Sequence, residues 1–420
     1  MFCGGIMKNL GFVSTRFAGT DGVSLESEKW VTVLEQMGHT CFFFAGESNR
    51  STDSAYIVPE ASFRHPDIAK INNIAFGQRI RPPTLTREIS QMKRYLKGHL
   101  KRFITQFRID VLIVENALAI PMNLPLGLAL CELIAESGIP TIAHHHDFFW
   151  ERTRFMVNCV WDYLNQAFPP NLPFIRHVVI NSSASHQLAH RTGIASVLVP
   201  NVMDFAHPPI IDNDYTKYLR QDLGIRDDEY FFLQPTRVVQ RKGIEHAIEL
   251  VHRLGLKARL IISHASGDEG HDYEQHIRWL AHTLKVAVNF VSDVIRDQRG
   301  QTPDGRKIYT LWDVYPQADL VTYPSTFEGF GNAFLEAVYF RRPILINNYS
   351  IYAYDIKPKG FRTIEFDGFI TDRTVKRVEQ ILTHPDLSEE MTEHNYHLGL
   401  KHYSFKTLEH HLRSLLLSWT

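Results

Sequence analysis

Short apolar runs alternate with segments of helical period along this 420-residue chain, and the whole alternation occurs twice. A parallel connection needs a crossover, and a strand covered on both faces reads as continuous apolar sequence. The pattern therefore predicts parallel sheets flanked by helices. In the first series, Lys8–Ser14 reads as a strand with Leu10, Phe12 and Val13, followed by a Gly/Thr/Asp-rich turn at 18–22. Ser24–Met37 then carries Leu25, Trp30, Val33, Leu34 and Met37 at helical spacing, Gly38 ends it, and Thr40–Ala45 is the next strand. Further strands are expected at Asp110–Glu115, Thr141–His145, His177–Asn181 and Val197–Val199, with helices at Leu126–Glu136 and Ser183–Arg191. The second series starts beyond Pro200. Its strands are Tyr230–Gln234, Ala258–Ser263, Val288–Val291, Leu320–Tyr323 and Pro343–Asn347; its helices are Ile244–Leu254, Tyr273–Leu284 and Asn332–Phe340.

Charge and composition remove several classes of function. Lys+Arg total 45 and Asp+Glu 46, a net charge of -1, without the basic excess of a nucleic-acid coat. No segment approaches the roughly 18 consecutive apolar residues of a membrane span. The best candidate, Leu124–Ala135, is broken by Glu132, and Phe2–Met7 is too short for a signal-peptide core. Cys3, Cys41, Cys131 and Cys159 are far apart and form no Cys-x-x-Cys, which fits a reducing compartment and argues against a disulfide framework or thiolate zinc site. A cytoplasmic protein is expected.

Open parallel sheets bind ligands outside the carboxyl ends of their strands, so the chemistry should lie in the loops after strands. The strongest such loop runs from Pro324 through Ser325, Thr326, Phe327, Glu328, Gly329, Phe330 and Gly331 into a helix at Asn332. Its glycines allow a tight turn and a close ligand. The N–H groups of Asn332, Ala333 and Phe334 open the helix and can receive an anion. Glu328 and Glu336, with seven residues between them, suit sugar hydroxyls rather than phosphate. A second loop, after Tyr230–Gln234, carries Arg237 and Lys242 before Gly243. Two cations there can neutralise a diphosphate; alone they also read as a solvated basic turn. Arg241, between them, is expected to point elsewhere.

Together these segments resemble the retaining family-4 glycosyltransferases of the GT-B fold, which share an Arg–Lys pair and a Glu-x7-Glu motif in the C-terminal domain. Tyr315–Ser325 is similar to the strand that precedes that motif. Pro200-Asn201-Val202-Met203-Asp204 resembles the family's hinge, with Val202 where glycine is usual. The match covers most of 197–350 and, more weakly, 8–160. The resemblance implies that Arg237 and Lys242 hold the diphosphate of a nucleotide-sugar, that Glu336 bonds the ribose, and that Glu328 bonds the donor sugar. It also implies that Asn332, Ala333 and Phe334 offer backbone N–H groups, and that Val291–Val294, with Val294 itself, meets the base through backbone. Gly19 and Gly22 would face the diphosphate and acceptor, although the loop Gly19-Thr20-Asp21-Gly22 lacks the family's Gly-Gly pair. It is no dinucleotide or Walker fingerprint either.

In the first series, Ala143 to Arg152 includes His144, His145, His146 and Asp147 after a strand end. Neighbours on a strand point to opposite faces, so His144 and His145 cannot readily share one ion, and no metal site is expected. His146-Asp147 resembles the family's His-Asp dipeptide, whose His faces the donor sugar; a structural role is the other reading. Residues 79–108 hold nine Arg/Lys and one acidic residue, Glu88. Ile89, Met92, Leu96, Leu100, Phe103 and Phe107 recur at helical spacing, with Lys93, Lys97 and Lys101 on another face. That face is either solvated, a grip on a phosphorylated acceptor, or a peripheral contact with anionic lipid.

The expected architecture is α/β, a GT-B pair of Rossmann-like doubly wound domains facing an interdomain cleft. Residues 1–200 would bind the acceptor, 201–400 the donor, and 401–420 would form a helix returning to the first domain. The expected activity is hexosyl transfer with retention from a UDP-, GDP- or ADP-hexose to a hydroxyl of a small polar or phosphorylated acceptor or a glycan or lipid precursor, with no cofactor required. Its partners would be small molecules, not nucleic acid, and no feature sets an oligomeric state. The alternatives are a non-catalytic sugar-nucleotide binding protein and a GT-B phosphorylase, for which no Schiff-base lysine is evident.

Overall fold

In a computed structural model describing residues 7–19, 22–208, 210–266, 271–417 and 419, the apolar runs become two parallel sheets. The first contains β1 (Asn9–Val13), β2 (Thr40–Ala45), β3 (Ala55–Ile57), β4 (Val111–Glu115), β5 (Thr141–His145), β6 (Ile175–Val179) and β7 (Ser196–Leu198). Its order is β3-β2-β1-β4-β5-β6-β7. The second contains β8 (Tyr230–Gln234), β9 (Ala258–Ile262) and β10 (Ala287–Phe290). A separate hairpin, β11 (Gly300–Gln301) with β12 (Lys307–Ile308), follows. The second sheet is completed by β13 (Leu320–Tyr323), β14 (Ile344–Asn347) and β15 (Ile364–Phe366), in the order β10-β9-β8-β13-β14-β15. Both sheets are doubly wound, and each reverses strand order at one point: between β1 and β4, and between β8 and β13. Residues β4, β5, β13 and β14 are buried throughout, as helices on both faces require.

The chain divides into two compact units, Met1–Asn201 with Lys406–Thr420, and Val202–Phe405. The last helix, Phe405–Leu417, lies almost wholly in the segment that joins the first unit. One strand sits two residues earlier than its apolar run suggested. Asn181 is not in β6, because its side chain caps the helix Ser182–Thr192 by accepting from the Ala184 N–H at 2.7 Å. β15 and the helices Asp372–Thr383 and Pro385–His402 were not anticipated.

The helix Gly22–Gln36 carries the first unit's main wedge. Trp30 is fully buried and stacks on His144 of β5, with ring centroids 4.2 Å apart. Leu25, expected in that buried stripe, is 41% exposed; Glu26 and Ser27 are buried in its stead, Glu26 paired with Lys29 at 3.0 Å.

The basic segment forms one helix, Pro83–Phe107, packed on Leu124–Ser137. Leu85, Ile89, Leu96, Leu100 and Phe103 are buried in it. Its lysine stripe meets acid from the neighbouring helix. Lys97 reaches Glu132 and Glu136 at 2.5 Å each, Lys93 bonds Glu132, and Lys101 lies 3.4 Å from Glu136. The stripe thus spends its charge inside the unit. Among the described residues no helix is long and apolar enough to cross a membrane.

Because Trp30 fixes the first helix against β5, Trp30→Ala should destabilise the first unit by about 3–5 kcal/mol. Urea unfolding measures this; a loss below about 1 kcal/mol would mean that the wedge is not held there.

Candidate active site

The reversal between β8 and β13 brings the loops after these strands together. The short helical turn Gln240–Lys242 ends at Gly243, whose φ is +58°. A Cβ there would lie 2.5 Å from the carbonyl oxygen of Pro324, so only glycine lets the two loops approach so closely. Thr326 N–H donates to the Arg241 carbonyl at 2.9 Å and ties the loops further.

Between them sits a buried ion pair. The Lys242 ammonium bonds Glu328 Oε1, and Arg241 Nη1 lies 3.3 Å from Glu328 Oε2. Arg241 therefore does not point elsewhere: it shares the carboxylate with Lys242, and it is no neutral bystander. Burial lowers the Lys242 ammonium below its ordinary value, with Glu328 opposing the shift. Burial works to raise the Glu328 carboxyl, but Lys242 and Arg241 outweigh it and hold the group below the usual range.

The next turn is set by Gly331, with φ +122°. A Cβ on it would come 2.2 Å from Tyr349 Oη, which donates to the Phe330 carbonyl at 2.8 Å. The helix Asn332–Tyr339 starts there. The Phe334 N–H is already given to the Gly331 carbonyl at 3.0 Å, so of the three amides expected to meet an anion this one is spent within the turn. Glu336 is half-buried and accepts from Tyr315 Oη at 2.7 Å, which orients its carboxylate. Arg237 is exposed. Val294 is spent within the fold: its N–H bonds the Val291 carbonyl at 3.1 Å and its carbonyl accepts from Tyr309 N–H at 2.8 Å. Of its backbone groups, the second lone pair of the carbonyl is what Val294 has left for a base.

One neighbour was missed. His264 follows β9, and its imidazole is lowered by burial, with Arg237 and Lys242 adding to the shift. Its position just beyond a strand end was the available signal. A concavity of about 1090 Å³ in the second unit, beside β15 and lined by residues such as Asn348, Arg373 and Arg377, contains none of these groups.

In the first unit, the matching reversal lies between β1 and β4. Glu115 ends β4 and is fully buried, and its Oε2 meets His144 Nδ1 at 3.0 Å and His146 Nε2 at 3.2 Å. His144 and His145, being adjacent on the strand, point apart. The pair that converges is two residues apart, His144 with His146, on one side of the chain. His145 turns away to His177, Nε2 to Nδ1 at 2.9 Å. Burial opposes charge throughout, yet His144 and His146 hold the Glu115 carboxyl down to about 2. Burial likewise opposes the His146 imidazolium, but Glu115 raises it above its ordinary value, whereas burial leaves His144 lowered. Asn116 follows with φ +59°; its Oδ1 accepts the His146 N–H at 2.9 Å and its Nδ2 donates to Asp147 at 2.9 Å. Gly19 is exposed with φ +84°, and Gly22 begins the first helix; Thr20 and Asp21 lie outside the described residues.

Residues 216–398 match the family described as Glycosyl transferases group 1. The mannosylglucosylglycerate synthase of Thermotoga maritima is 31% identical, over 93% of this chain and 95% of its own length. The chain belongs to the group 1 glycosyltransferases. The synthase of the same name from Petrotoga mobilis is also 31% identical, over 88% of this chain and 90% of its own. Anabaena HepE, solved in complex with UDP-glucose, has the same fold at a TM-score of 0.66 and 11% identity, covering 98% of this chain and 100% of its own. The glycosyltransferase thus has two parallel-sheet, Rossmann-like units of the GT-B type.

Glu115, His144 and His146 place their donor atoms within 4.8 Å of one another, a spacing a divalent ion can use. An ion there would have to displace the proton that His146 shares with Glu115. The glycosyltransferase should accordingly keep its turnover within a few-fold in excess EDTA. A strict divalent requirement, lost in Glu115→Gln, would put an ion at this triad.

Proposed function

We propose that the glycosyltransferase moves a hexosyl unit from a nucleoside-diphosphate sugar to a hydroxyl of a glyceric-acid glycoside, with retention. Mannosyl is our choice of sugar, because the relatives' names describe a mannosylglucosylglycerate. The observation that carries the donor reading is the buried Lys242–Glu328 pair at the β8/β13 reversal, beside the helix start at Asn332. A lysine is kept buried at such cost chiefly where negative charge must be met.

In this reading Lys242 and Arg237 take the diphosphate, joined by the helix start. Glu336, aimed by Tyr315, takes the ribose, and Glu328 takes the sugar. The bond from the anomeric carbon to the diphosphate oxygen breaks as the acceptor oxygen attacks from the same face. The acceptor proton goes to the departing diphosphate. Charge building on that group is stabilised by Lys242 more in the transition state than before it.

The geometry separates the two glutamates. Glu328 is the internal counter-ion of Lys242 and Arg241, so Glu328→Gln should leave free nucleoside diphosphate bound as tightly as before or more tightly. It should still cut turnover by on the order of 10²–10³, as loss of one well-placed group does. Glu336→Ala should weaken the free nucleoside diphosphate itself by roughly tenfold or more. Thermal shifts with UDP, GDP and ADP select the nucleotide, since a ligand at 100 times its Kd adds about 2.7 kcal/mol; calorimetry then compares the variants. Equal losses of nucleoside diphosphate in both variants would show that the carboxylates are wrongly assigned.

A further inference from the structure

A second cavity, about 220 Å³, lies at the β1/β4 reversal of the first unit. Ser14 and Arg16 enter it from the end of β1, Glu115 and Asn116 from the end of β4, and Phe63 and Arg152 close its sides. Its size is about seven times the roughly 30 Å³ share of one liquid water. That is room for a three-carbon hydroxy acid, not for a disaccharide.

Two arginines, Arg16 and Arg152, line this cavity against one carboxylate, Glu115, and two more, Arg64 and Arg154, lie next to the lining residues. Arg16 and Arg64 both face the Phe63 ring, their guanidinium carbons 5.8 and 5.6 Å from its centroid. Arg154 is close enough to Arg152 that burial, and Arg152 after it, lower its guanidinium below the ordinary value. Among the described residues, Glu115 is the acid that lines the cavity, and Asp147 lies behind the lining residues Asn116 and Arg152; both are engaged. Glu115 is committed to His144 and His146. Asp147 accepts from Asn116 at 2.9 Å and from Arg152 Nε at 2.5 Å. Asp147 therefore grips Arg152, a lining residue, by its inner nitrogen, and the terminal Nη groups are the fork that matches a carboxylate. The left-handed backbone of Asn116 at the strand end is a further mark of a site, since such conformations in non-glycine residues cluster where function requires them.

We propose that Arg16 and Arg152 hold the carboxylate of the acceptor in this cavity, so that the glycosyltransferase selects acceptors ending in a hydroxy acid. The acceptor identity rests on the transfer reading above; the anion site does not. The hydroxy-acid end enters the cavity and its glycosyl part stays outside.

Two readouts test this on the full-length protein. The first is ligand-observed NMR with glycerate, glycerol and 3-phosphoglycerate. Glycerate should bind, glycerol should not, and Arg16→Gln and Arg152→Gln should each raise the glycerate Kd at least tenfold. Arg152→Lys should recover only part, because an ammonium lacks the fork. The second readout is the ratio of kcat/KM for glucosylglycerate over glucosylglycerol, which cancels any general loss of folded enzyme. It should exceed about 10² in the wild type, as for sites built around one polar group, and fall at least tenfold in either Gln variant. Glycerate that fails to bind, or binds the variants equally well, overturns the proposal. Tighter binding of 3-phosphoglycerate overturns the carboxylate assignment. If glycerate binds as expected while glucosylglycerate is not glycosylated, the anion site stands and the acceptor reading of the function fails.

Discussion

The second unit is organised around a lysine that has been taken out of water. Lys242 is buried where the order of the sheet reverses, and it is kept there by the carboxylate of Glu328 from the opposing loop. A buried ion pair contributes little net stability, because desolvation consumes most of the Coulomb attraction. The fold nevertheless provides for it at several points. Gly243 allows its loop to approach Pro324, Gly331 leaves room for the Tyr349 hydroxyl, and Arg241 shares the same carboxylate. This arrangement holds two cations and a carboxylate in readiness beside a helix start.

The first unit repeats the solution with different residues. At the end of β4, Glu115 is fully buried yet held low by His144 and His146 against the cost of burial, and it in turn raises the His146 imidazole above its ordinary value. Asn116 and Asp147 then link that pair to Arg152. Each unit thus concentrates its charged groups just beyond the two central strands, where neighbouring crossovers part and leave the strand ends uncovered.

Much of this was legible in the chain. Alternating apolar runs are a strong signal for buried parallel strands, and they located β1, β2, β4, β5, β8, β9 and β13 closely. Lys242 and Glu328 are legible because they sit in the loops that follow such strands, Glu336 through its spacing from Glu328, and His146 through the resemblance of His146-Asp147. The rest depended on contacts made across the sheet. Glu115 reads as the last residue of an apolar strand, and only the pairing of β4 with β5 sets it against His144 and His146. Arg241 reads as the neighbour of a phosphate-binding lysine, and the approach of the Pro324 loop gives it to Glu328. The lysines of Pro83–Phe107 read as a free basic face because Glu132 and Glu136 lie about forty residues away in sequence. β15 is too short, at three residues, to show a period.

The central claim is that the Lys242–Glu328 pair is the seat of the donor diphosphate. A crystal structure of the full-length glycosyltransferase with its preferred nucleoside diphosphate tests it most directly. A β-phosphate oxygen is expected at hydrogen-bonding distance, about 3 Å, from Lys242 Nζ, beside the helix start at Asn332, with the Glu328 carboxylate released from the lysine. Phosphates seated instead in the groove beside β15, or on Arg16 and Arg152, with Lys242 still bound to Glu328, would contradict it.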